Sequence, residues 1–290
     1  MLKYIINFRV ENATMHRTIK IIAYPMLLAG FFGGCAALFQ ETKLPPVKEI
    51  RPDTMQGYLT DSELPDSLTL LPSVPTNNSI TMTRDKAMSK KSLTLRDTKR
   101  WELAAKDAQL TFPGAVDAFS CTLGVPISKE ETPQIYRLMR RVQTDARLST
   151  GKAKNRYKRS RPFVWNGAAI CTPDKRAFLL TNGSYPSGHS AIGWAWALTL
   201  TEIDPDHATE ILARGRAYSE SRVVCNAHWY SDIMWGRTMG AGTVARLHAN
   251  PEYQKRVKAA KAELKSVRKK GLKPVNDCLF ETEALSIKLY

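Results

Sequence analysis

The sequence lacks several features that would place it in other classes of protein. Clear alternation of apolar and polar residues is absent, which argues against a protein built on β-sheet. None of its cysteines belongs to a Cys-x-x-Cys pair, which argues against a zinc site. Beyond residue 39 no apolar run is long enough to cross a membrane, so the body of the chain is expected to be soluble.

Acidic residues are scarce relative to basic ones. The 290 residues include 27 Asp and Glu against 43 Lys and Arg, a formal charge of +16. Such an excess favours anionic partners: nucleic acid, anionic lipid or phosphate-bearing substrates. The segment KRVKAAKAELKSVRKK, residues 255–270, could be the contact helix of a nucleic-acid-binding or envelope-binding protein. A solvated helix face is the simpler explanation, so nucleic acid is not favoured as the main partner.

The N-terminal region has the order of a secretory signal. In MHRTIKIIAYPMLLAGFFGGCAALFQ, residues 15–40, basic residues precede an apolar stretch and then small residues. We predict a signal peptide at 1–37, with Met15 as an alternative start and cleavage after Ala37. Acylation of Cys35 and an uncleaved anchor are the alternatives. The rest of the chain is therefore expected in the periplasm or secreted from a bacterium.

The remainder divides by composition into three parts. Residues 38–91 are rich in Pro, Ser, Thr and Asn and are predicted to form an extended arm. Residues 92–250 show helical spacing throughout and are predicted to form one all-α domain. Residues 251–290 are predicted to be a basic C-terminal helix and tail. Capping residues before proline mark three helix starts: Thr132-Pro133, Asp204-Pro205 and Asn250-Pro251.

Four cysteines remain if Cys35 leaves with the signal or is acylated. They are Cys121, Cys171, Cys225 and Cys278. An even number in an exported chain predicts two disulfides, and the residues alone leave all three pairings open.

Three short segments carry residues suited to chemistry, and the first is KNRYKRSRP, from Lys154 to Pro162. Proline disfavours helix at the residue before it, so Arg161 is expected at a helix end or in a loop. Taken alone, the segment is most simply a solvated basic patch.

The second segment is GSYPSGHS. Ser184 is predicted to cap a helix that has Pro186 in its first turn. Gly188 lets a ligand approach the backbone, and the free N–H groups of a helix start favour a bound phosphate. Ser187 adds a hydroxyl donor, and His189 lies beside the anion. A capped helix with a nearby histidine is the simpler alternative.

The third segment is SRVVCNAHWYSD. His228 and Asp232 are four residues apart, so on a helix they share a face. A carboxylate there holds one imidazole nitrogen protonated and leaves the other free to act as base or nucleophile. Arg222 adds a planar set of donors for phosphate oxygens. A salt-bridged pair on a helix surface is the alternative.

Together the three segments contain what phosphoryl transfer without a metal requires. Lys154, Arg161 and Arg222 match the charge of the transferred group, and the two histidines provide a nucleophile and an acid. No second acidic cluster lies near the histidines in the sequence, so no metal site is predicted.

The order and spacing of these residues resemble a family signature. They are similar to the pattern of the phosphatidic-acid-phosphatase type 2 superfamily. The matching residues are Lys154, six residues, Arg161-Pro162; then Pro-Ser-Gly-His at 186–189; then Arg222, five residues, His228, three residues and Asp232. Within it, GYLTDSELPDSLTLLP, NGSYPSGHSAIGWAWAL and EILARGRAYSESRVVC resemble the bacterial class A non-specific acid phosphatases. The resemblance covers residues 57–264.

The resemblance implies an all-helical fold of the acid phosphatase and vanadium haloperoxidase type, and an exported enzyme that hydrolyses many phosphomonoesters at acidic pH. It implies His228 as the nucleophile that forms a phosphohistidine, Asp232 as its orienting group and His189 as the proton donor. The residues that it implies for holding the phosphoryl group are Lys154, Arg161, Ser187, Gly188 and Arg222.

Further expectations come with the resemblance. Cys171 would pair with Cys225, which leaves Cys121 for Cys278. No cofactor is expected, the ligands are small phosphomonoesters and inorganic phosphate, vanadate and similar oxyanions inhibit, and the enzyme forms a homo-oligomer. Phosphotransferase activity stays open as a side reaction. A vanadate-dependent haloperoxidase is the nearest alternative, since it uses a similar pocket.

Overall fold

Helices account for nearly all the regular structure in the computed structural model, which describes residues 46–290. In chain order the elements are β1 (Glu49–Arg51), β2 (Thr54–Met55), α1 (Ser67–Leu70), α2 (Ile80–Ser92), α3 (Lys99–Lys106), α4 (Asp117–Leu123), α5 (Pro133–Ser149), α6 (Gly151–Tyr157), α7 (Pro162–Asn166), α8 (Arg176–Thr181), α9 (Gly188–Ile203), α10 (Ala208–Val224), α11 (Tyr230–Leu247), α12 (Pro251–Lys269) and α13 (Cys278–Ser286). The two strands pair antiparallel, with Glu49 opposite Met55 and Arg51 opposite Thr54. The prediction of an all-α fold is confirmed.

Helix α9 lies at the centre of this arrangement. Its sequence is apolar on all sides, as expected of a helix surrounded by protein, and α5, α10, α11 and α12 pack around it. Trp196 is fully buried and donates from Nε1 to the carbonyl of Met139 at 2.8 Å. A Cβ at Gly236 would lie 2.4 Å from the carbonyl oxygen of Ser187. Glycine therefore lets α11 lie directly against the residue that precedes α9.

Proline begins helices where the sequence predicted it. Helix α5 begins at Pro133, α12 begins at Pro251, and a 3-10 turn that leads into α10 begins at Pro205. Asn250 caps α12, since its side chain accepts a hydrogen bond from the Tyr253 N–H at 3.0 Å.

The segment predicted to be an extended arm is extended only in part. Between residue 46 and α2 it forms the hairpin, the short α1 and irregular chain, and the Tyr58 and Leu59 N–H groups donate to buried Asp145 of α5. Helix α2 then runs for 13 residues, capped by Ser79, which accepts from the Met82 N–H at 3.1 Å. Helix α2 is therefore a difference from the predicted extended arm, and between residue 46 and α2 the chain combines a hairpin and α1 with irregular segments.

Two disulfides cross-link the described residues, in the same pairs that the resemblance suggested. Cys121 of α4 bonds to Cys278 at the start of α13, and Cys171 bonds to Cys225 at the end of α10. Within residues 46–290 no helix is both long and apolar enough to cross a membrane. The predicted signal at 1–37, with Cys35, lies outside the described residues, and the divisions at residues 37, 91 and 250 stay predictions.

Candidate active site

A cavity of about 280 Å³ lies where the start of α9 faces α6 and the loop before α11. Five predicted site residues line it: Lys154, Arg161, Gly188, His189 and His228. Ser187, Arg222 and Asp232 are buried in the protein behind this lining, each at most 1% exposed. The three segments that the sequence singled out therefore meet at one place.

The start of α9 differs from the prediction in its capping residue. Helix α9 begins at Gly188, and the cap is Ser187, whose hydroxyl accepts from the Ser190 N–H at 3.2 Å. Ser184 was predicted to cap, but it lies three residues earlier and bonds elsewhere. A Cβ at Gly188 would meet only Thr150 Oγ1, at 3.8 Å, so packing does not require glycine there. Glycine instead keeps the cavity open beside the first N–H groups of the helix.

The sequence predicted that His228 and Asp232 lie on one face of a helix, and the structure differs. Helix α11 begins at Tyr230, so His228 precedes it and Asp232 lies in its first turn. The Asp232 carboxylate accepts from the Trp229 N–H at 2.9 Å, which turns the chain back toward the helix start. His228 and Asp232 are therefore close together, as predicted, because the chain turns at the start of α11 and not because both lie on one helix.

The contact between this histidine and carboxylate runs mainly through a hydroxyl. Nδ1 of His228 is 3.4 Å from Oδ2 of Asp232 and 3.3 Å from Oγ of Ser184. The Ser184 hydroxyl in turn donates to Oδ2 of Asp232 at 2.5 Å. The three groups form a buried chain in which Ser184 relays the negative charge of Asp232 to the imidazole.

The proton of His228 is assigned by its other neighbour. Nη1 of Arg161 lies 3.0 Å from Nε2 of His228 and also donates to the Ala227 carbonyl at 2.8 Å. A guanidinium can only donate, so Nε2 accepts and the proton of the neutral ring lies on Nδ1, toward Ser184 and Asp232. The lone pair of Nε2 therefore lies on the side of the ring that faces the cations.

Burial lowers the pKa of both histidines well below the usual value. For His228 burial is the main cause, followed by the charges of Arg161, Lys154 and Arg222. For His189 burial and Arg222 dominate, although Nε2 donates to the Ala108 carbonyl at 3.0 Å, which acts in the opposite direction. In the ligand-free site both shifts favour the neutral imidazole, which suits a nucleophile at His228.

The three predicted cations are held without a full set of counter-charges. Lys154 donates to the carbonyls of Gly183 and Pro186, and burial, followed by the charge of Arg161, lowers its pKa to about 7. Arg222 is 1% exposed, and its Nε and Nη1 have no hydrogen-bond partner. Burial lowers the pKa of Arg222 to about 10. Buried donors that lack an acceptor form a site that favours an anion.

A second ion pair behind the histidine was missed by the sequence reasoning. Arg159, in the first basic segment, donates to Asp232 at 2.5 Å and to Asp85 at 2.7 Å. Asp85 lies on α2 and also accepts from both the backbone and the hydroxyl of Ser231. Nothing in the sequence separates Arg159 from the other basic residues beside it, and Asp85 is 74 residues away from it.

Among residues 46–290, no group of three or more His, Cys, Asp or Glu side chains is placed to hold a metal ion. The carboxylate beside His228 is that of Asp232, and it is already paired with Arg159.

The fold and the site together define an enzyme class, the PAP2 superfamily. The model of that superfamily matches residues 145–256, a range that contains all eight predicted catalytic and phosphate-binding residues.

Comparison with curated proteins narrows the class further. The chain is 44% identical over 248 residues to a non-specific acid phosphatase of Providencia stuartii, which covers 84% of this chain and 99% of that protein. It is 36% identical over 218 residues to an acid phosphatase of Zymomonas mobilis, covering 75% and 82% of the two chains. A non-specific acid phosphatase of Salmonella typhimurium is 36% identical over 213 residues, covering 73% and 85%. The chain belongs to the non-specific acid phosphatases and is a phosphomonoesterase, which confirms the resemblance.

Proposed function

We propose that this acid phosphatase hydrolyses a broad range of phosphomonoesters through a phosphohistidine on His228, without a metal ion. The observation that carries the proposal is the state of His228. Its Nδ1 lies 3.3 Å from Oγ of Ser184 and 3.4 Å from Oδ2 of Asp232, and Nε2 lies 3.0 Å from Nη1 of Arg161, an arrangement that favours a neutral ring with its lone pair on Nε2.

The first step transfers the phosphoryl group to the enzyme. Nε2 of His228 attacks phosphorus, the bond to the ester oxygen breaks, and His189 gives a proton to the leaving oxygen. In the second step water attacks phosphorus, the P–N bond breaks, and inorganic phosphate departs as His189 takes a proton from the water. Asp232, through Ser184, stabilises the positive charge that His228 gains when it is phosphorylated.

The three cations stabilise the charge on the three oxygens that do not react. Lys154, Arg161 and Arg222 are fixed before substrate binds, so little reorganisation accompanies the reaction. The unpartnered Nε and Nη1 of Arg222 are donors that phosphate oxygens satisfy. Arg161 contacts Nε2 of His228 in the free enzyme, so substrate displaces this contact and takes over its donor.

His189 obtains its proton with the substrate. The pKa of His189 lies well below the usual value in the free site because of burial and Arg222. A bound phosphate brings negative charge, which favours the imidazolium. This requirement gives the proposal its acidic optimum, because a proton must enter with the substrate while His228 stays neutral.

Breadth of substrate and export have separate support. The cavity beside the histidines includes apolar side chains of Leu110, Leu148 and Phe178, and Phe178 is 62% exposed, so the leaving-group side is open. Two disulfides suit an oxidising compartment, in agreement with the predicted signal peptide. Inhibition by vanadate and a homo-oligomeric state are retained as parts of the proposal.

A kinetic assay tests the proposal. We expect turnover of several phosphomonoesters, no turnover of a phosphodiester, highest rates in mild acid and no loss with a chelator. His189→Ala should lower kcat/KM, which reports the first step, far more for aliphatic esters, which have poor leaving groups, than for p-nitrophenyl phosphate. Strong loss with chelator contradicts the metal-free mechanism, and an equal loss of kcat/KM for all leaving groups contradicts the role of His189 as acid. Oxidation of halide after addition of vanadate would instead support the haloperoxidase alternative.

A further inference from the structure

One cation in the cavity is not used by the proposed mechanism. Arg147 lies in the last turn of α5 and lines the same cavity as His189 and His228. Its side chain is half-buried, and its Nη2 is buried with no hydrogen-bond partner. Within residues 46–290 no carboxylate lies at ion-pair distance from Arg147. A buried donor of this kind is costly to a protein unless a ligand satisfies it.

Arg147 stands apart from the cations that hold the transferred phosphoryl group. Burial and the like charge of Arg51 lower its pKa, and neither cause comes from Lys154 or Arg161. By contrast, the charge of Arg161 lowers the pKa of Lys154, and both cations lower the pKa of His228. Lys154 and Arg161 also contact the backbone around the histidines or His228 itself, and Arg147 makes none of these contacts.

The surroundings of Arg147 are apolar on the cavity side. Leu110, Leu148 and Phe178 line the same space. Such side chains can contact the carbon atoms of a leaving group while a guanidinium binds its charged end. The group that occupies this region during turnover is the leaving group, because the phosphoryl end of the substrate lies among the histidines and buried cations.

We propose that Arg147 is a specificity-determining residue that binds a second anionic group, carboxylate or phosphoryl, on the leaving group of the substrate. The proposal rests on the proposed function, since it places the phosphoryl group at His228. It predicts a preference for phosphomonoesters that carry another negative charge on the alcohol part. The planar guanidinium can bind either oxyanion through two parallel hydrogen bonds.

Matched substrate pairs test the proposal. For the carboxylate arm, kcat/KM is measured for 3-phosphoglycerate and glycerol 3-phosphate. For the phosphoryl arm, it is measured for fructose 1,6-bisphosphate and fructose 6-phosphate. The wild-type enzyme should prefer the doubly anionic member of at least one pair. Arg147→Gln should reduce that preference about tenfold, as expected when a hydrogen bond to a charged group is lost.

Two further variants keep the result interpretable. Arg147→Lys retains the charge and should keep part of the preference, which loss of folding would not allow. Arg156→Gln removes an exposed arginine of α6 that does not line the cavity, and the preference should remain as in the wild type. The arm that responds identifies the anion as carboxylate or phosphoryl.

The failures of the two proposals are distinguishable. A wild-type enzyme that shows no preference in either pair, or an Arg147→Gln enzyme with the wild-type preference, overturns the role of Arg147 and leaves the phosphatase mechanism intact. A wild-type enzyme that hydrolyses none of the four esters nor p-nitrophenyl phosphate overturns the proposed function itself, and the role of Arg147 falls with it.

Discussion

Replacement of Arg159 tests how the carboxylate of Asp232 is held. Arg159 lies between Asp232 and Asp85, and the side chains of the three residues are at most 7% exposed. Arg159→Gln leaves two buried carboxylates without their cation. Loss of one partner from a buried ion pair costs about 3 to 5 kcal/mol. We expect a decrease of this size in the free energy of unfolding, measured by denaturant titration without reductant.

The same replacement should reduce catalysis beyond its effect on stability. Asp232 loses the donor that fixes one of its oxygens, so Ser184 and His228 lose their alignment. A misplacement of about 1 Å costs about 100-fold in rate, and we expect a loss of that order in kcat with a much smaller change in KM. The assay uses p-nitrophenyl phosphate at a temperature where the variant is folded.

Three comparisons decide the outcome. Arg159→Lys should recover part of the activity, because a single charge can still reach one carboxylate. Asp85→Asn in the Arg159→Gln background should recover part of the stability, because one of the unpaired charges is removed. Arg156→Gln, at an exposed position on α6, should change neither quantity. A decrease in stability below about 1 kcal/mol together with a normal kcat would refute the reasoning.

The remaining predictions concern pH. Burial and the charges of Arg161, Lys154 and Arg222 lower the pKa of His228. Arg222→Gln removes one of these charges and favours the imidazolium, so the acidic limb of kcat/KM should move to higher pH. An unmoved limb contradicts the assignment of His228 as the nucleophile. Lys154, with a pKa of about 7, should lose its charge as the pH rises through that value, so inhibition by inorganic phosphate should weaken in the same range. Lys154→Arg keeps its charge and should retain phosphate inhibition to higher pH, and identical profiles for the two enzymes would contradict the prediction.

The sequence predicted the assembly of the site more reliably than its local geometry. Lys154, Arg161, His189 and His228 were placed in one site by their types and spacing, and the cavity contains all four. The helix starts at Pro133 and Pro251 followed from local chemistry, since proline at the first helical position loses no hydrogen bond.

Local geometry failed where two residues offered the same chemistry. Ser184 and Ser187 both precede α9, and the position of Pro186 favoured Ser184 as the cap. The helix begins after Pro186, so Ser187 became the cap and Ser184 was free to contact Asp232 and His228. Capping preferences depend only on residues close in sequence, so they cannot predict which serine contacts a carboxylate that is distant along the chain.

Two further features were not predicted: the ion pair between Arg159 and Asp85, and helix α2. The role of Arg159 depends on Asp85, and no local pattern joins the two residues. Helix α2, which carries Asp85, was included in an arm described by its Pro, Ser and Thr content over 38–91. That average concealed a 13-residue helix with a serine cap. Packing against α11 gives α2 its position beside the site.

Direct detection of the enzyme–phosphate intermediate tests the central claim. The His189→Ala enzyme is mixed with p-nitrophenyl [³²P]phosphate and quenched within milliseconds in alkali, and the protein is digested and mapped. The good leaving group needs little help from an acid, so the intermediate should form and then persist, because its hydrolysis lacks the base. We predict an acid-labile, alkali-stable label on His228, absent from His228→Ala. Label on another residue, or full turnover by His228→Ala, would contradict the account.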